Sequence, residues 1–461
     1  MRLNGNESNF LLSDNNINTK INFGSETFKR YFANTSWMFA EKIFKTLVAF
    51  FVGIYVARYL GPGQFGLLNY AISFAGLFTS FANLGMDSIV VRELVKNPER
   101  RDEILGTVFR LRLIGSVVTI ILVSITAFII NEPSFNLILI VIISAATIFQ
   151  SLGVIEQFFQ SRVEAKFNVV AQSGSFFIAS IIKVLLVVFN QPLIYFAIVQ
   201  TLESVLLAIG YYTVYKKNSL SFSHWKFNKK TATELFKDSW PLVLSGVVIA
   251  IYMKIDQVMI KNFMSATDVG YYAVAVKLCE AWYFVPMAIS TSVFPAIVNA
   301  KQVSEKLYLS RLQKLYDFLA AISIAIAIPV TLLSDFIINL LFGPEYKPAA
   351  PVLTIYIWAG VATFLGVASS QYLISENLTK LSFYRTLLGM IVNVVMNWFL
   401  IPIYGINGAA FATLVSYSLA TFSVGLTRKT FNQLKMMLKS ILLLNILSEI
   451  YKYVINIKTK D

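Results

Sequence analysis

The sequence predicts an all-α polytopic membrane protein of about twelve transmembrane helices, and three observations carry that prediction. Eleven or twelve apolar stretches of spanning length fill its 461 residues. Hydrophobic residues make up 56% of the chain against 14% charged, with a mean hydropathy of +0.66. Lys and Arg gather in every second connection between the apolar stretches. A soluble chain of this composition has no core large enough to hide so much apolar surface.

In chain order, the spans fall near 33–57, 66–84, 105–130, 135–153, 169–190, 192–215, 240–261, 270–297, 316–334, 350–373, 384–401 and 408–426. A hydrocarbon core of roughly 30 Å needs about 20 helical residues, and nearly every segment meets that length. Residues 1–32 are polar, so no cleaved signal peptide is expected and the first apolar segment stays as a helix. Two sets of six spans, 33–215 and 240–426, flank a charged linker at 216–239. A basic tail covers 427–461, where an apolar run within 433–451 fits an interfacial helix or an extra span.

The loops after even-numbered spans carry the cations, such as Arg92, Arg100 and Arg101, then Lys226, Lys229 and Lys230, then Lys301, Lys306 and Arg311. The alternate loops offer only Arg58, Lys261 and Lys347. This bias places both termini in the cytoplasm. The formal charge of +14 lies in short loops with no nucleic-acid-binding pattern around it, so anionic lipid is the expected partner and nucleic acid is not. A lone cysteine, Cys279, excludes an intramolecular disulfide and a thiolate metal cluster.

An internal echo crosses the linker. RYLGPGQFGLLNYAISF (Arg58–Phe74) and NFMSATDVGYYAVAVKL (Asn262–Leu278) both leave an odd span, turn, place Gly66 or Gly270, and enter an even one. Such an offset fits two copies of a six-helix unit in the same orientation, although two glycines can also coincide by chance.

Six blocks carry a wider likeness: GIYVARYLGPGQFGLLNYAISF (Gly53–Phe74), IYMKIDQVMIKNFMSATDVG (Ile251–Gly270), EAWYFVPMAISTSVFPAI (Glu280–Ile297), LFGPEY (Leu341–Tyr346), YLISEN (Tyr372–Asn377) and IPIYGINGAAFAT (Ile401–Thr413). Together they resemble the polysaccharide flippase family, Wzx-type, of the multidrug/oligosaccharidyl-lipid/polysaccharide exporter superfamily, from about residue 30 to 430. The resemblance implies two six-helix lobes forming a V around a central cationic cavity that opens to one side at a time. It also implies a cargo, an undecaprenyl-pyrophosphate-linked oligosaccharide moved from the cytoplasmic to the periplasmic leaflet of a bacterial inner membrane for O-antigen or capsule synthesis. Polymerase and chain-length proteins of the same pathway would be partners. No cofactor is implied, and coupling to protons or sodium is left open.

Ionisable residues inside the spans are the candidate site. Each costs roughly 2.5–3.5 kcal/mol at mid-membrane, so each needs a partner or a wet cavity. Lys254 and Asp256 on the seventh span are two apart and point to different sides, whereas Lys277 and Glu280 on the eighth are three apart and share a face. Lys254 and Lys277 fall at similar depth, where a phosphate between them would relieve their repulsion. A closed structural network with Asp256 and Glu280 is the plainer alternative. Lys183, on the fifth span, pairs with Glu203 or faces the cavity. Glu41, Lys42 and Lys45 mark either the cytoplasmic rim or the inner mouth of the cavity, and Arg58 either snorkels to the headgroups or meets cargo. Tyr252 and Trp282 could stack on sugar rings, or simply pack. Arg110 and Arg112 read as lipid contacts, and Pro286 and Pro329 as interruptions of the eighth and ninth spans.

Rival functions fare worse on residues. A cation exporter of the same superfamily would prefer acidic cavity groups to Lys183, Lys254 and Lys277. A polysaccharide polymerase needs an external loop with acid and base, and the longest candidate, about 335–349, holds only Asp335 and Glu345. No GxxxxGK[ST] sequence is present, so ATP hydrolysis is not expected, and a transporter rather than an enzyme is the expected class. A scaffold without transport leaves the mid-membrane charges unexplained.

Overall fold

The computed structural model describes the backbone of residues 26–443 and the side chains of residues 42–443. Among these residues every regular element is helical. Backbone N–H and C=O groups find no water in a hydrocarbon layer, so a spanning segment must bond within itself. Among the described residues, ten helical runs are long and apolar enough to cross a bilayer, from Lys42–Gly76 to Thr379–Leu426.

The twelve expected spans meet ten runs because two pairs are joined. Spans 33–57 and 66–84 lie largely on one run, Glu26–Gly76, which turns at Gly61 (φ 65°, ψ 169°). Spans 384–401 and 408–426 share Thr379–Phe422, which turns at Gly405 (φ 59°, ψ −141°). A positive φ is open to glycine without steric cost, so the chain reverses with no loop between its arms. Pro62 follows at the first position of the second arm, where its missing N–H would have had no helical acceptor.

The expected span 270–297 is two helices, Ala266–Glu280 and Phe284–Val303, separated by a turn at residues 281–283. Pro286 therefore does not interrupt a helix. It sits in the first turn of the second one, where proline is tolerated. Pro329 lies in the last turn of Glu305–Leu332. Polar side chains set the starts of these helices: Ser265 accepts from the Asp268 N–H, Ser304 from Leu307, and Asn228 from Lys230 and Thr231.

Within the stretch expected as a linker, Leu193–Lys217 ends and Lys229–Phe263 begins. The connection is pinned rather than slack. The Lys226 N–H donates to the Asp102 carbonyl at 3.3 Å, the Asn228 N–H donates to the Thr107 hydroxyl at 3.1 Å, and Trp225 packs among Phe109, Tyr215 and Phe222. In the tail, Phe431–Ile441 packs on Glu305–Leu332, with Ser440 donating to Asp317 at 2.6 Å. Residues 444–451 of the apolar tail stretch lie outside the described residues.

Arg112 overturns its expected role. It is only 2% exposed and donates to Asp87 Oδ1 at 2.6 Å and to Gln157 Oε1 at 3.2 Å, while Gln157 Nε2 reaches the same Asp87 oxygen at 3.0 Å. Its neighbour Arg110 is exposed beside the Phe227 ring. A burial this complete needs the hydrogen bonds, and sequence spacing alone could not show that Asp87 and Gln157 converge there. Arg112→Leu is expected to lower stability by about 1–3 kcal/mol, tempered by the 63% exposure of the Asp87 side chain. Thermal unfolding in detergent measures this, and an unchanged midpoint would show that the cluster contributes nothing.

Candidate functional site

The helix Ala266–Glu280 brings Lys277 and Glu280 to one wall of a cavity of about 390 Å³, and Ala165–Val188 brings Lys183 to another. Asn69, Gln200 and Ser180 add polar groups, while Phe50, Phe65, Phe176, Phe196 and Phe342 supply apolar surface. A mostly apolar chamber with a few fixed polar groups is the common form of a small-molecule site. Lys277 is exposed to this space and its ammonium lies 4.5 Å from the centre of the Phe65 ring, a cation–π contact that holds the charge without neutralising it. Lys183 donates to Glu203 at 3.1 Å and to Gln200 at 3.5 Å. Both readings offered for Lys183 thus apply, since it is ion-paired and lines the cavity.

The other charged candidates separate. Lys254 is half-buried beside Gly76, with no carboxylate within 4.0 Å among the described residues, and it does not line the cavity. Asp256, two residues on, faces away into the second half of the chain. Its carboxylate accepts from the Tyr272 hydroxyl at 2.7 Å, the Thr413 hydroxyl at 2.8 Å and the Asn397 amide at 2.6 Å. Asn397 also donates to Asn393 at 3.1 Å, and the Asn397 amide oxygen is buried without a hydrogen-bond partner among the described residues. A closed network of Lys254, Lys277, Asp256 and Glu280 is therefore not what these residues form: no ion pair joins them within 4.0 Å among the described residues. Instead, the Asp256 carboxylate is met by the Tyr272 and Thr413 hydroxyls and by the Asn397 amide nitrogen, with Asn393 behind it, in one buried polar cluster.

At the mouth, Lys42 is exposed with its ammonium 3.7 Å from the Met287 sulfur, and Lys45 donates to Gln172 at 3.2 Å. The side chain of Glu41 lies outside the described residues. Arg58 donates to the Leu340 carbonyl at 2.6 Å, so it ties the first half of the chain to the second as well as sitting exposed. Tyr252 packs on Tyr417 at 4.7 Å and against Gly389, away from the cavity, which gives it a packing role. Trp282 is 42% exposed at the turn after Glu280.

Sequence reasoning passed over Asn69 and Gln200 in the cavity, and Asn393, Asn397 and Thr413 around Asp256. One signal was present. Asn393 and Asn397 lie four apart inside an otherwise apolar span, a spacing that puts two amides on one helix face where hydrocarbon would not pay for them.

Comparison with known proteins is consistent with this architecture. The profile of a family described as polysaccharide biosynthesis protein matches residues 31–301, and that of MatE matches residues 241–399. A probable low-salt glycan biosynthesis flippase, Agl15, of Haloferax volcanii is 26% identical over 208 residues, 44% of this chain and 43% of that protein. A capsular polysaccharide biosynthesis protein, CapF, of Staphylococcus aureus is 20% identical over 396 residues, 85% of this chain and 97% of that one. Among solved structures, the lipid II flippase MurJ in an inward closed conformation superposes with a TM-score of 0.69 at 18% identity, covering 89% of this chain and 92% of that one. At that identity the likeness concerns the fold.

Proposed function

We propose, since the chain belongs to the polysaccharide biosynthesis protein family, that it moves a polyprenyl-pyrophosphate-linked oligosaccharide from the cytoplasmic to the outer leaflet by alternating access. The family and the fold are those of multi-pass membrane transporters rather than enzymes. Divided at Gly61 and Gly405, the ten runs among the described residues supply twelve crossings, which supports a reading as two six-helix lobes around the cavity, and the charge bias of the loops supports cytoplasmic termini. Undecaprenyl is the carrier in a bacterial inner membrane, and an O-antigen or capsule repeat unit of the Wzx type is the cargo.

The observation that carries this reading is the cavity itself. Lys183 and Lys277 face one apolar, polar-studded chamber, which suits a diphosphate joined to sugars. The Asp256 cluster is the seat for a coupling proton or sodium ion in this reading, since its buried carboxylate, met by two hydroxyls and an amide N–H, has no cationic partner within 4.0 Å among the described residues.

The MatE match over 241–399 favours a second reading, export of a small organic cation. A leaflet-resolved assay in reconstituted vesicles decides between them. With labelled glycolipid in one leaflet, the protein is expected to speed its appearance in the other by at least about tenfold over empty vesicles, equivalent to 1.4 kcal/mol off the barrier. Movement of a drug cation with no effect on glycolipid would overturn the proposal in favour of the exporter.

A further inference from the structure

Two half-helices meet at the end of the molecule that the charge bias assigns to the outside. Residues 62–76, after the Gly61 turn, and Ala266–Glu280, after its Ser265 cap, are equal in length and 204 positions apart throughout. Each ends on a turn at matching positions, residues 77–78 and 281–283. The run Glu26–Gly76, of which residues 62–76 are the second arm, and Ala266–Glu280 form the most extensive helix–helix interface among the described residues. At its centre a Cβ on Gly66 would lie 1.7 Å from the Ala266 carbonyl oxygen and 2.8 Å from the Gly270 nitrogen, and a Cβ on Gly270 would lie 2.0 Å from the Pro62 carbonyl oxygen.

Position 266 is position 62 of the second copy, and 270 is 66. The two contacts are thus one contact made twice, the signature of a local two-fold axis, with each half presenting the same patch to the other. Coincidence of two glycines does not produce this, so the internal echo is a structural repeat. Backbone meets backbone at the seam, which leaves no flexible side chain to yield. Bonds from the first half to the second surround it: Arg58 to the Leu340 carbonyl at 2.6 Å, Tyr346 hydroxyl to the Ala57 carbonyl at 2.8 Å, and Ser73 hydroxyl to Gln257 at 2.9 Å.

We infer that the paired half-helices are the outer gate of the transport path, sealed by the glycine seam and hinged at Leu77–Phe78 and Ala281–Tyr283. In the state described here the gate is shut. Opening to the outside separates Gly66 from Ala266 and Gly270 from Pro62 together, since the axis relates one contact to the other. The inference rests on the alternating-access reading in one respect, that a second state open to the outside exists. It makes no use of what the cargo is.

The test reads access rather than transport. In a Cys279→Ser background carrying Ile72→Cys, a residue lining the cavity, an impermeant maleimide is added outside intact cells and the rate of labelling is measured. Gly66→Ala or Gly270→Ala is expected to raise that rate at least about tenfold by disfavouring the shut state, and the double variant to add little, because either methyl already parts the seam. A second arm guards against variants that fail to fold. The Gly63 Cβ position lies 3.5 Å from the Thr267 hydroxyl, so a Gly63→Cys/Thr267→Cys pair can be oxidised across the same seam. Oxidation is expected to abolish outside labelling and glycolipid movement, and reduction to restore both. Unchanged labelling in well-folded Gly66→Ala, or full transport by the cross-linked pair, overturns the inference. If the gate responds as expected while glycolipid stays still in the leaflet assay, the cargo proposal fails and the gate stands.

Discussion

On the proposed anion site, Lys277→Gln is expected to lower transport per folded molecule by about 30-fold or more, since truncating one charged partner of an anion contact typically costs about 2–5 kcal/mol. Lys277 has no ion-pair partner within 4.0 Å among the described residues, so the amount of folded protein in the membrane is expected to hold. Lys183 behaves differently because Glu203 lies 3.1 Å away. Lys183→Gln reduces both transport and abundance, and Lys183→Gln/Glu203→Gln restores abundance without restoring transport. Lys277→Arg retains part of the activity, since the charge persists while its donors are fixed in a plane. Lys254→Gln, outside the cavity lining, has the smallest effect of the three. The measurement is leaflet-resolved flux normalised to monodisperse protein. Full flux from a well-folded Lys183→Gln/Lys277→Gln variant would remove the anion site from the mechanism.

On the proposed ion-coupled reading, Asp256→Asn is expected to uncouple transport from an imposed ion gradient while leaving the fold in place. The asparagine oxygen can still accept from Tyr272 and Thr413, and its amide can donate to the Asn397 oxygen, which is otherwise without a partner, once that side chain turns over. The charge that would hold a proton or sodium ion is gone. One elementary charge crossing 100 mV is worth about 2.3 kcal/mol, so flux under an imposed sodium or proton gradient of that size is expected to fall by up to roughly 50-fold, down to the gradient-free rate. The check is flux with and without each gradient in the same vesicles. A variant that still responds to the gradient as the parent does would show that the cluster is purely structural.

The fold class was legible because a bilayer reduces the problem to length and apolar composition, and nearly every expected span has its helix. Where reading failed, the missing information was three-dimensional. The turns at Gly61 and Gly405 are written as Gly-Pro and Pro-Ile-Tyr-Gly, which read as loops, yet the angles at a single glycine suffice to reverse the chain. Lys277 and Glu280 were found from spacing because they share a helix. Lys183 was recognisable as a membrane-embedded charge, but that it faces the same chamber as Lys277 depends on how two distant helices pack. Asp256 shows the limit most clearly. Its two-residue offset from Lys254 showed that the pair diverges, but the partners Asn397 and Thr413 lie 141 and 157 positions away, beyond any local pattern.

The turn at residues 281–283 places a pivot within a few residues of the cavity's exposed cation. A helix of 15 residues is an arm of about 22 Å, and Lys277 is only about 6 Å from the turn that follows it. A swing of about 15° therefore carries the far tip about 6 Å but the ammonium's base only about 1.5 Å. The arrangement is a lever with its fulcrum beside the load. Wide movement at the exit comes with little movement at the charge, so a phosphate held there need not be let go until the way out is already open.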